Sequence, residues 1–253
     1  MSDLNHILFT SISFTCIIIG IILLKKYITK IEHKNLVLKI SSILTLVFHF
    51  SSLYVDYFSG KEAIVEQPML LPIYPCNVAM WLLVIVAFYK NRDSKLFEFL
   101  ATITFYLGVF GGVIGITFNE IYIANPNLAD WGVLKGLLSH VTLLFGCVYI
   151  FVGGYFEIRV ANLTNVFLGM LLLLADGVLM IILHLIFNLT PPNAMYLLYK
   201  PFENIPWLNV ITIGIIALTI IFIFTVIFEH FSLDRVDRWY NKLYNKFKNK
   251  RNA

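Results

Sequence analysis

The segment that most constrains the fold is LPIYPCNVAM, residues 71–80, which opens an apolar stretch with two prolines. Proline has no backbone N–H and clashes with the carbonyl four residues earlier, so a helix is expected to begin only at Pro75. Cys76 and Asn77 then lie in the first helical turn. Free N–H groups and the positive end of the helix dipole meet there, an environment that favours a thiolate. The segment therefore predicts a polarised thiol inside an apolar helix.

The overall composition is that of a membrane protein. Of the 253 residues, 59% are hydrophobic and only 13% are charged, whereas a soluble domain is typically about 25% charged. The net charge of +4 does not indicate nucleic-acid binding, because the basic residues are distributed as membrane topology requires. The three cysteines all fall in apolar runs, so no disulfide framework is predicted.

Seven apolar segments reach the length of roughly 20 residues that crosses a bilayer. These predicted spans, numbered in chain order, cover residues 7–24, 37–58, 70–89, 96–118, 132–156, 163–187 and 206–228. Sixteen of the 19 Lys and Arg residues fall in the connections on one side, which predicts an outer N-terminus and a cytoplasmic C-terminus. We therefore expect an all-α polytopic membrane helix bundle over residues 1–230. Residues 231–253 are expected to form a basic amphipathic cytoplasmic tail.

Polar residues recur in the predicted outer halves of four spans. They are His49, Asp56, Cys76, Asn77, His140, Asp176 and His184. Buried ionisable groups usually face the interior of a membrane bundle, so we expect one chamber, open toward the outer leaflet, to gather them. A transporter or channel with an intramembrane His/Asp path is the alternative. The inner halves of the spans are nearly free of ionisable residues, which favours a chamber over a conduit.

Other features of the spans have simpler interpretations. Span four carries two overlapping GxxxG pairs, at 108/112 and 111/115, which are typical of close helix packing. Cys16 and Cys147 lack flanking prolines and are expected to act as small apolar side chains. Three of the histidines with Asp176 would suit zinc by ligand type. The sequence contains no HxxxH pair among them, so we predict neither a metal nor another cofactor.

Three segments resemble the YwaF-like bacterial integral membrane proteins. LPIYPCNVAM (71–80) is similar to the LPLxLC opening of their core helix, and LSHVTLLFGCVYI (138–150) is similar to their histidine-bearing helix. NLTPPNAMYLLYKP (188–201) resembles their Asn-Tyr-Met…Lys-Pro loop, in which Asn193 and Met195 match and the tyrosine is displaced. The vertebrate relatives of that family are transmembrane acyltransferases that move a fatty acyl chain between phospholipids through an active-site cysteine. The resemblance implies that Cys76 is the nucleophile and that His140 is its partner.

We therefore expect a multi-pass protein of the cell membrane, a lipid acyltransferase that uses a Cys–His thioester mechanism near the outer leaflet. Its expected partners are a phospholipid and a lysophospholipid. Backbone N–H groups after Pro75, with or without the Asn77 amide, are candidates to hold the oxyanion, and an interhelical hydrogen bond is the alternative for Asn77. Asp56 or Asp176 is expected to orient a histidine. The loop over residues 188–205 is expected to dip into the bilayer as a lid.

Overall fold

The computed structural model describes residues 4–60, 71–200, 205 and 207–251. Every regular element in those ranges is helical, as the sequence predicts. The helices are α1 (Leu4–Tyr27), α2 (Ile31–Phe58), α3 (Pro75–Phe88), α4 (Lys95–Thr117), α5 (Glu120–Ala124), α6 (Trp131–Val152), α7 (Leu163–Ile186), α8 (Val210–Ser232) and α9 (Trp239–Arg251). Short 3₁₀ turns at Val160–Asn162 and Ala194–Tyr196 complete the described elements.

Six of these helices have the length and apolar composition to cross a membrane: α1, α2, α4, α6, α7 and α8. The third predicted span, residues 70–89, is represented by α3, which has only 14 residues. Tyr74 is extended and Pro75 occupies the first helical turn, because proline fits there and not in a helix interior. The predicted helix start at Pro75 is confirmed, whereas α3 alone is shorter than the roughly 20 residues that a membrane span requires.

Helix α6 lies at the centre of the bundle and packs against α1, α2, α3 and α4. Two glycines of α4 permit its close approach to α6. A methyl group added at Gly112 would lie 2.7 Å from Cβ of Leu144, and one added at Gly108 would overlap the side chain of Cys147. The GxxxG pair at 108/112 therefore packs helices together, as predicted. Cys147 is fully buried in this contact, as expected for a small apolar side chain.

The ends of the helices form two groups of connections. We call one the lid end, comprising residues 71–74, 118–130 and 188–200, and the other the tail end, comprising residues 28–30, 89–94, 153–162 and 233–251. At the lid end, the Met195 N–H donates to the Ile73 carbonyl over 2.9 Å. At the tail end, the Tyr155 hydroxyl donates to Oδ1 of Asn35 over 2.7 Å. Hydrogen bonds thus join segments far apart in sequence at each end of the bundle.

One buried carboxylate organises the tail end. Glu229, which is 3% exposed, accepts the Val160 N–H at 2.7 Å through Oε2 and the Trp239 N–H at 2.6 Å through Oε1. Val160 begins the turn before α7, and Trp239 begins α9. An anion is stabilised at such positions because the first N–H groups of a helix have no partner within it. Helix α9, within the predicted tail, is thereby attached to the bundle.

Candidate active site in an intramembrane cavity

A cavity of about 560 Å³ lies between α2, α3, α4, α6, α7, α8 and the 188–200 segment. The predicted site residues that line it are His49, Cys76, Asn77 and His140. Asp176, His184 and Asn193 lie outside the lining, and the side chain of Asp56 is outside the described part of the structure. The cavity therefore gathers His49 of span two with the polar residues of spans three and five, but not Asp176 and His184 of span six.

Cys76 lies at the start of α3, directly after Pro75. The Tyr74 N–H donates to Oδ1 of Asn77 over 3.1 Å, which closes the first turn of the helix around the cysteine. A methyl group added at Gly111 would lie only 3.3 Å from Cβ of Cys76. The half-buried cysteine is therefore backed by the main chain of α4. The Asn77 carbonyl oxygen serves this local cap, and among the described residues it makes no interhelical hydrogen bond of the kind considered from the sequence.

His140 is held in one tautomer by its own helix. Its Nδ1–H donates to the Gly136 carbonyl over 2.7 Å, so in the neutral ring Nε2 carries the lone pair that can accept a proton. A methyl group added at Gly115 would overlap this imidazole ring. Gly111 and Gly115 are four residues apart, which is about 6 Å along the helix axis. Cys76 and His140 thus lie against adjacent turns of the same wall of the cavity.

Asp176 makes no hydrogen bond to His140 or His184 among the described residues, and the side chain of Asp56, the other carboxylate considered from the sequence, is not described. His184, which is 3% exposed, donates Nδ1–H to the Met180 carbonyl over 2.8 Å, as His140 does to its own helix. Oδ2 of Asp176 and Nε2 of His184 are buried, and neither has a hydrogen-bond partner among the described residues. Each ring is therefore fixed by a carbonyl one turn earlier, and no carboxylate is required.

The 188–200 segment packs against the residues before α3, whereas residues 201–204 of the predicted 188–205 lid lie outside the described residues. Met195 and Tyr196 adopt left-handed backbone conformations, with φ of 50° and 56°, and both line the cavity. The Tyr196 ring lies 5.5 Å from that of Tyr74, measured between centroids. Asn193 fixes this shape, because its Oδ1 accepts the N–H groups of Leu198 and Tyr199 at 3.0 and 2.9 Å. Asn193 is thus a structural residue of the lid.

The cavity changes polarity along its length. Its polar lining residues at the lid end include two that the sequence analysis did not select, Asn119 and Lys135. Lys135 donates a hydrogen bond to Oγ of Ser52 over 2.8 Å. The sequence signal that could have selected Lys135 is its position within a turn of a predicted span, on the side of the membrane that is poor in basic residues. Toward the tail end, the described lining is apolar apart from Tyr106, whose hydroxyl pairs with Oγ1 of Thr225 at 2.7 Å.

The histidines and acids do not form a metal centre in the described part of the chain. No group of three His, Cys, Asp or Glu side chains there is arranged to hold a metal ion. His49 and His140 share the cavity, whereas His184 and Asp176 lie outside it. The four-residue zinc set considered from the sequence is therefore not brought together.

A helical bundle with six membrane-length helices around an internal cavity defines a multi-pass integral membrane protein. Residues 1–228 match the model of the TMEM164 family, and the chain belongs to that family. The closer relationship to YwaF-like proteins stays a prediction from the three segments described above. Searches of curated proteins and of solved structures gave no significant match.

Proposed function

We propose that this protein is a lipid acyltransferase of the cell membrane that forms an acyl-thioester at Cys76. The observation that carries the proposal is the position of Cys76 and His140 against adjacent turns of α4 in one cavity. The cavity is polar at its lid end and apolar beyond Gly111, so a phospholipid would place its ester bond beside the thiol. Its headgroup would lie toward the lid and its acyl chain toward the tail end.

In the first half-reaction, Nε2 of His140 takes the proton of the Cys76 thiol. The thiolate attacks the carbonyl carbon of a phospholipid ester, and N–H groups in the first turn of α3 stabilise the oxyanion. The carbon–oxygen ester bond then breaks. The lysophospholipid leaves as an alcohol after receiving the proton from His140, and the acyl group remains on sulfur.

In the second half-reaction, His140 takes the hydroxyl proton of a different lysophospholipid. The alkoxide oxygen attacks the thioester carbonyl, and the carbon–sulfur bond breaks. The thiolate recovers its proton from His140, and a new phospholipid is released. The exchange needs no metal, oxidant or energy source, because one ester is consumed and one ester is formed.

We further propose a seven-pass topology with the N-terminus outside and the C-terminus in the cytoplasm. Helix α3 runs from the lid end to the tail end and, with residues 71–74 ahead of it, would supply the seventh pass. The tail-end connections and the helix ends beside them hold sixteen of the 19 Lys and Arg residues, which favours a cytoplasmic tail end. The cavity would then receive its lipid from the outer leaflet.

The transporter alternative requires a polar path that continues to the tail end. The described lining beyond Gly111 offers only the Tyr106 hydroxyl, which is paired with Thr225. This distribution favours a closed chamber for a lipid chain over a conduit for ions.

The proposal can be tested with purified protein in detergent and a phospholipid that carries a labelled acyl chain. We expect the wild type and Cys16→Ser to retain label that neutral hydroxylamine removes, because the exposed Cys16 lies outside the cavity. Cys76→Ser and His140→Ala should retain none. Absence of label in folded wild type, across several lipids, would contradict the proposal and direct attention to proton-flux assays on His140 and Asp176.

A further inference from the structure

Helix α8 is buried against the bundle mainly in its second half. Its buried residues are Ile221, Thr225 and Glu229. The first half borders the cavity, through Val210, Ile213, Gly214 and Ala217. Leu218 packs against the main core cluster, and Ile221 is the first buried residue of α8 and also lines the cavity.

The tail-end limit of the cavity is a packed floor. Ile103 and Tyr106 of α4 line it, and the Tyr106 hydroxyl pairs with Thr225. A methyl group added at Gly169 of α7 would lie 2.6 Å from Cγ1 of Ile103, so α7 and α4 are already in close contact there. Ile103 is eight residues before Gly111, the glycine that contacts Cys76, which places the floor about 12 Å below the cysteine along α4.

We infer that this apolar half of the cavity selects the length of the transferred acyl chain, with Ala217 and Ile221 of α8 as its specificity-determining residues. The inference rests on the proposed function, because it places an acyl chain on Cys76. A chain bonded to that sulfur can extend toward the floor without entering the polar lid end. A chain longer than the available depth must bend or displace α8, and both cost packing energy.

The positions on α8 predict opposite effects of two substitutions. Ala217 lies one turn nearer the lid end than Ile221, a rise of about 6 Å. Ala217→Leu fills the cavity at that level and shortens the depth available to the acyl chain by up to about 6 Å. Since an extended chain lengthens by roughly 1.25 Å per methylene, this loss corresponds to about four or five carbons. Ile221→Ala removes side-chain volume at the floor and extends the depth. Ile215 is 60% exposed and does not line the cavity, so Ile215→Phe adds bulk to the outer face of the same helix and serves as the matched control.

The experiment measures hydroxylamine-sensitive label from phosphatidylcholines whose labelled saturated chain lengthens two carbons at a time. We expect the preferred length to fall by about four carbons in Ala217→Leu. It should rise in Ile221→Ala and remain unchanged in Ile215→Phe. Identical length profiles in all four labelled proteins would overturn the inference.

A second measurement separates failure of the chain pocket from failure of the chemistry. Fatty acids of the same lengths, each with a photoactivatable group at its end, are crosslinked to the four proteins without any transfer reaction. A matching shift in the crosslinking profile supports the pocket even if no thioester forms, in which case only the proposed activity is wrong. Unchanged crosslinking profiles in both cavity variants would contradict the pocket itself.

Discussion

Gly115→Ala is predicted to disable the candidate site and leave the bundle folded. The three atoms nearest to the added methyl would all belong to the imidazole of His140, so the main overlap is with a side chain. Overpacking of a buried site costs about 1–3 kcal/mol, while alanine favours a helix over glycine by about 1 kcal/mol. The free energy of unfolding should therefore fall by about 0–2 kcal/mol. The imidazole should be displaced by about 1 Å, a shift that typically costs about a hundredfold in rate.

Gly112→Ala is the matched comparison on the same helix. Its methyl would lie 2.7 Å from Cβ and 3.1 Å from Cα of Leu144, so the main chain of α6 must shift, although Gly112 does not line the cavity. Thermal unfolding in detergent should show the larger loss for Gly112→Ala. Hydroxylamine-sensitive label per folded molecule should show the larger loss for Gly115→Ala. Full labelling of Gly115→Ala would refute the placement of His140 at the reacting sulfur.

Three further substitutions test separate parts of the structure. Glu229→Gln removes the charge from two hydrogen bonds, each worth about 1.5–3 kcal/mol when charge-assisted. Hydrogen exchange of the backbone amides in α9 should therefore become faster. Unchanged exchange rates would contradict the attachment of α9 through Glu229. Asn193→Ala removes the acceptor that shapes the lid, so limited proteolysis within residues 188–200 should accelerate, and an unaltered cleavage rate would count against this role. Asp176→Asn should lower neither thermal stability nor labelling, because Oδ2 has no partner in the described structure and Asp176 does not line the cavity. A loss of labelling would contradict the placement of Asp176 outside the candidate site.

The start of α3 and the presence of Cys76 and His140 in one cavity could both be expected from the sequence. Proline restricts the backbone locally, so the helix start at Pro75 depends little on the rest of the fold. The common depth of Cys76, His49 and His140 follows from counting residues from the ends of the predicted spans. The structure places all three in the same cavity.

Asp176 and His184 could not be placed by the same reasoning. Counting residues gives the height of a side chain in the membrane, but not the direction in which it leaves the helix axis. Gly177 and Met180 of α7 pack against the lid segment and the residues before α3, through Met195 and Ile73 respectively. His184 lies one turn beyond Met180 on α7. It is therefore buried on the side of this contact and lies outside the cavity.

The roles of Glu229 and Gly115 depend on contacts between distant segments. In the sequence, Glu229 is one charged residue at the edge of the tail. Its two N–H partners are 69 and 10 residues away along the chain. Gly115 belongs to a GxxxG pair whose sequence predicts only close packing. The side chain beside Gly115 is the His140 imidazole of α6. Which side chain lies there depends on how α4 and α6 are rotated about their axes.

Acyl transfer through Cys76 is tested most directly by peptide mapping with mass spectrometry after incubation with a phospholipid carrying an isotopically labelled acyl chain. This mechanism predicts the acyl mass on the peptide that contains Cys76, its loss in His140→Ala, and none on peptides containing Cys16 or Cys147. Acylation of the exposed Cys16 with none on Cys76, or no acylation of the folded wild type, would contradict it.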